Sequence, residues 1–160
     1  MGLYLMHFTL PGYQGLHFQG VGQNAKTEEF GFKAQKYNAK MIIVAFQLND
    51  WGETSANQTI ELVEYFLNHY NIDKNKVYGE GYFSGGETMS LVMSKRANLF
   101  TVYLHASTSW NDDYQSVVQN KVPFYLVVGI NNEYYGSDPV RKTYKKLSQF
   151  YKDEGLSDHS

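Results

Sequence analysis

A chain of 160 residues can bury one substantial core, and 14 Lys+Arg against 16 Asp+Glu leave it a net charge of −2. That balance argues against a nucleic-acid groove, and the absence of cysteine excludes disulfide scaffolds, thiol catalysis and zinc–thiolate sites. The 14 Tyr and 10 Phe provide sheet and core residues with enough left over to line an aromatic cleft.

Leu3 to Leu10 reads as a first strand that stops at Pro11-Gly12-Tyr13-Gln14-Gly15. Met1 to Leu10 lacks a basic region and a small-residue cleavage site, so no signal peptide is expected there. Thr27 to Tyr37 reads as a helix capped by Thr27, with Glu28 and Glu29 in its first turn. Met41 to Leu48 is a second strand, apolar enough to be covered on both faces. Asn57 to Tyr70 reads as an amphipathic helix, with Ile60, Val63, Phe66 and Leu67 on one side and Glu61 and Glu64 on the other. Asn57-Gln58-Thr59 fits a glycosylation sequon, which carries little weight without a sign of secretion.

A polar turn, Asn71 to Asn75, leads to a third strand at Lys76 to Gly79. The helix beginning near Ser84 runs to Lys95-Arg96, whose charges suit a helix C-terminus. Thr101 to Ala106 and Val122 to Val128 are the fourth and fifth strands, with a short helix between them at Asp113 to Gln119 and a last helix at Pro139 to Lys152. Alternating strands and helices predict one α/β domain: a parallel sheet of about five strands, order 2-1-3-4-5, with helices on both faces. No apolar run is long enough to cross a bilayer, so no membrane partner is expected, and the compartment stays open with the cytoplasm favoured. Ligands of such sheets sit at the carboxyl ends of the strands. Pro11 to Gly15, Asn49-Asp50-Trp51, Phe83 to Gly86, Ser107 to Trp110 and Asn131 to Tyr135 all fall there.

The stretch Val77 to Gly86, followed by Glu87-Thr88-Met89, describes a strand that turns sharply into a helix around a glycine-flanked serine. Two registers fit the turn. With Ser84 at its tip, Gly86 is well placed but Tyr82 stands where a small residue belongs. With Gly81 and Gly85 as the flanking glycines, the tip is Phe83, which cannot react. Gly79 to Ser84 and Gly20 to Ala25 only loosely echo a dinucleotide fingerprint, and no His/Asp/Glu cluster has metal-ligand spacing, so neither cofactor nor metal is expected.

Leu10 to Gly15, the elbow-like Gly81 to Glu87, and Gly129 to Gly136 together resemble α/β-hydrolases of the esterase and prolyl-oligopeptidase-like kind, including poly(hydroxyalkanoate) depolymerase-like and feruloyl-esterase-like proteins. The resemblance covers nearly the whole chain as the central part of such a domain, truncated at both ends. It implies serine hydrolysis of an ester or peptide bond, with Ser84 as nucleophile and the amides of Gly85 and Tyr13 holding the oxyanion. Asn132 stands at the acid position with Glu133 beside it, and His159 is the histidine that follows them. Trp51, Trp110 and Tyr134 become walls of an acyl or aromatic pocket for a small-molecule ester. The alternative is a non-catalytic relative that binds a ligand or partner through the same cleft. Open edges on the second and fifth strands favour self-association.

Overall fold

The computed structural model describes residues 3–10 and 29–156. In chain order these form β1 (Tyr4–Leu10), α1 (Glu29–Tyr37), β2 (Met41–Ala45), α2 (Glu53–His69), β3 (Ile72–Tyr82), α3 (Ser84–Arg96), a 3-10 turn (Ala97–Leu99), β4 (Val102–Ala106), α4 (Gln115–Gln119), β5 (Phe124–Val127) and α5 (Asp138–Asp153). The sheet has five strands in the order β2-β1-β3-β4-β5, and every neighbouring pair is parallel.

Alternation along β1 assigns the faces. Phe8 lies beside Gly79 in the register, and a Cβ on Gly79 would meet Met89 of α3, so this face lies under α3. A Cβ on Gly31 of α1 would instead touch Ile43 and His7, which point the other way. Helices therefore cover both faces. Met6, Phe8 and Leu10 meet Val77, Met89, Met93 and Tyr103 in a fully buried core on the α3 side. On the α1 side, His7 Nε2 and the buried Glu80 Oε2 lie 2.9 Å apart across the β1–β3 ladder.

Several boundaries differ from expectation, and two of them have a visible cause. The helix predicted from Asn57 starts at Glu53, because Asp50 Oδ1 accepts the N–H groups of Gly52 and Ser55, organising a turn ahead of it. Burial pushes against the charged form of Asp50, but the N–H groups donated by Ser55 and Gly52 win and hold its carboxyl below the usual value. β3 begins at Ile72 rather than Lys76. Ile72 is buried and pairs with Tyr4, and an irregularity between Tyr4 and Met6 absorbs the polar Asp73-Lys74-Asn75.

Candidate functional site at the strand-to-helix turn

The chain leaves β3 at Tyr82 and enters α3 at Ser84, so a single residue makes the turn. That residue is Phe83, with φ 54° and ψ −130°. A bulky side chain at positive φ costs on the order of 1–3 kcal/mol, so the surroundings must impose it. They do so through two backbone bonds: the Phe83 N–H donates to the Ala106 carbonyl at 3.1 Å, and the Gly86 N–H donates to the Phe83 carbonyl at 3.0 Å.

The glycines explain why the turn can be so tight. A Cβ on Gly81 would lie 2.6 Å from the Gly86 Cα, and a Cβ on Gly86 would lie 2.3 Å from Thr108 Cγ2. Strand and helix meet backbone to backbone here, and the Thr108 side chain from the loop after β4 packs directly on Gly86. Because Phe83 alone stands between β3 and α3, at positive φ, the turn adopts, of the two registers open in the sequence, the one with Phe83 at its tip. Ser84 is the first residue of the helix.

Around the tip the rings close together. The Phe83 ring centroid lies 4.7 Å from that of Tyr134 and 5.1 Å from that of Tyr135, and Tyr134 and Tyr135 are themselves 4.7 Å apart. Beneath them runs a polar chain. The Tyr135 hydroxyl, beside Ser84, donates to Glu87 Oε1 at 2.9 Å, and Ser109 Oγ donates to the same oxygen at 3.2 Å. Glu87 thus ties together the loops after β4 and β5 and the first turn of α3. Burial, foremost, and the neighbouring Glu87 push the Tyr135 phenol up to about 12, while Ser84 acts in the opposite direction.

The other expected site residues fall as follows. Asn132 Oδ1 accepts the N–H groups of Tyr134 at 3.2 Å and Tyr135 at 2.9 Å, which folds the loop and commits that oxygen. Glu133 is exposed, Tyr134 is 72% exposed, and Gly85 is buried. Trp51 packs half-buried against the core. Trp110 stacks on Tyr114, with centroids 4.9 Å apart, and donates its Nε1–H to the Asp113 carbonyl. With Ser109, Tyr114 and Thr143 it borders an open groove of about 480 Å³ beside α5. Tyr13 and His159 lie outside the described residues.

Residues 46–151 match the model of peptidase family S9, the prolyl oligopeptidase family. The chain belongs to the prolyl oligopeptidase family. This is a family of serine hydrolases, and the solved structures that resemble the chain share its fold. A thermostable esterase superposes with a TM-score of 0.66 at 16% identity, over 92% of this chain and 44% of that one. The sugar hydrolase YeeB from Lactococcus lactis gives 0.62 at 10% identity, over 94% and 72% of the two chains. Esterase PE8 gives 0.59 at 9% identity, over 97% and 80%. The chain thus spans less than half the length of the esterase. No curated protein matches the sequence.

Against that family background the histidines matter. Among the described residues, His7 faces Glu80, His69 Nδ1 donates to the Tyr65 carbonyl, and His105 is fully buried beside Tyr103 and Trp110. None of these contacts is with Ser84. Among the described residues no group of three or more His, Asp or Glu is placed to hold a metal, and no helix is long and apolar enough to cross a membrane. The sequence reading missed Tyr135 and Glu87 as the partners at the turn. The clue was the spacing Gly81-x-Phe83-x-Gly85, which names the tip and, with it, the residues that must pack around it.

Proposed function

We propose that this member of the prolyl oligopeptidase family binds at its turn rather than hydrolysing there. The observation that carries the reading is Phe83 in the strained position where a serine hydrolase exposes its hydroxyl. A phenyl ring has no nucleophilic atom. The neighbouring Ser84 has a hydroxyl, but the phenol beside it is pushed up to about 12, and no histidine among the described residues is bonded to the serine, so these residues offer it no base. Phe83, Tyr134 and Tyr135 instead offer an aromatic surface above a carboxylate, suited to a small molecule with an acyl or aromatic group.

The competing reading keeps Ser84 as nucleophile, the Gly85 and Tyr13 amides as oxyanion donors, and Glu133 or Asn132 orienting a histidine. Turnover of a p-nitrophenyl ester separates the two. On the binding reading, wild type and Ser84→Ala agree within about twofold and stay at the uncatalysed level, whereas a loss of about 100-fold in Ser84→Ala restores the hydrolase.

A further inference from the structure

The turn carries more negative charge than its structural work requires. Glu87 Oε1 alone accepts the Tyr135 and Ser109 hydroxyls, a task that a neutral acceptor would perform as well. The other oxygen, Oε2, has no hydrogen bond among the described residues, and Glu87 belongs to no ion pair among them. The side chain is half-buried at the foot of the ring cluster: Tyr135 touches it, and Phe83 and Tyr134 pack on Tyr135. The start of α3 favours an acid modestly, which makes the charge tolerable without giving it a partner. The surrounding loops are acidic too. Residues 46–52, 82–94, 106–113 and 128–138 follow the carboxyl ends of β2, β3, β4 and β5. Besides Glu87 they contain Asp50, Asp112, Asp113, Glu133 and Asp138, and no Lys or Arg. Charge of one sign at this end of the sheet attracts cations and repels anions.

That surplus selects among ligands. A molecule laid on the aromatic surface drives water from Glu87. A neutral acyl group has no donor and leaves Oε2 unpaired, and an anion adds repulsion. A protonated amine does neither: it donates to Oε2 and is attracted to the faces of the rings beside it. We propose that the turn binds a protonated amine, its N–H donated to Glu87 Oε2 and its acyl or aromatic portion lying on Phe83 and Tyr134. The assignment rests on the reading that the turn binds rather than hydrolyses, and it adds the charge of the ligand to that reading. Tyr134, 72% exposed, supplies the most accessible ring face.

Calorimetric titration of the full chain near pH 7 with benzylamine, benzyl alcohol and benzoate tests it, because the three share a ring and differ in charge. Benzylamine, protonated at that pH, should bind about tenfold tighter than benzyl alcohol, and benzoate more weakly than either. Glu87→Gln keeps an acceptor for Tyr135 and Ser109. It should cut the affinity for benzylamine about tenfold and leave that for benzyl alcohol within about twofold. Tyr134→Leu, at an exposed position, should weaken both ligands by about threefold. Equal affinities for benzylamine and benzyl alcohol, or benzylamine binding that ignores Glu87→Gln, overturn the amine and leave the binding reading standing. Failure of all three ligands to bind at about 10 mM overturns both.

Discussion

Gly81→Ala is expected to destabilise the fold by about 3 kcal/mol, near the upper end of overpacking costs. The added Cβ would lie 2.6 Å from the Gly86 Cα, 2.6 Å from Tyr103 Oη and 2.9 Å from Met89 Cβ. The first contact is backbone, so no rotamer change relieves it. Moving α3 away from β3 would in turn disturb Met89, Val92 and Met93, all fully buried on that helix. Gly129→Ala is the control, since nothing lies within 4 Å of its added carbon. Its effect should stay within about 0.5 kcal/mol. Urea denaturation of both variants measures the difference. Equal stabilities would mean that strand and helix do not meet at the turn.

Acid is expected to weaken the protein through His105. Its ring is fully buried, Nδ1 shares a hydrogen bond with Tyr103 Oη at 3.1 Å, and Nε2 has no hydrogen-bond partner among the described residues. Burial lowers its pKa to about 3. In the unfolded chain the same imidazole takes up a proton near pH 6.5. Between those values the unfolded state binds one more proton than the folded one. Stability is therefore fully present above about pH 6.5 and falls as pH drops toward 3, by up to ~1.4 kcal/mol per unit. Carboxylates such as Asp50 add their own acid dependence at lower pH, so the comparison is best made between pH 7 and 5. His105→Leu should flatten the slope there even though it costs Tyr103 its partner. Parallel pH profiles for wild type and variant would show that the buried ring is not the group responsible.

The strand order was legible because the apolar runs alternate with amphipathic segments, and a parallel sheet with short connections admits few topologies. Helix ends were less legible. Asp50 organises the start of α2 through side-chain bonds that precede any helical periodicity, so Glu53 to Ala56 look like loop in the sequence. The turn itself was legible only as a choice between two registers. Gly81 and Gly85 named Phe83 as the tip, chemistry named Ser84, and local pattern could not rank them. The backbone decided it, because Phe83 alone lies between the end of β3 and the start of α3, at φ 54°. The roles of Asn132 and Trp110 were hidden for a related reason. Asn132 folds its own loop, and Trp110 stacks on Tyr114 while bordering the groove beside α5, contacts that the letters alone do not reveal.

The most direct measurement is the intact mass of the protein after exposure to a fluorophosphonate, followed by peptide mapping. With a phenyl ring at the tip and no histidine among the described residues bonded to the adjacent hydroxyl, the mass should not change. A stoichiometric adduct on Ser84 would contradict the account and make this chain a working serine hydrolase.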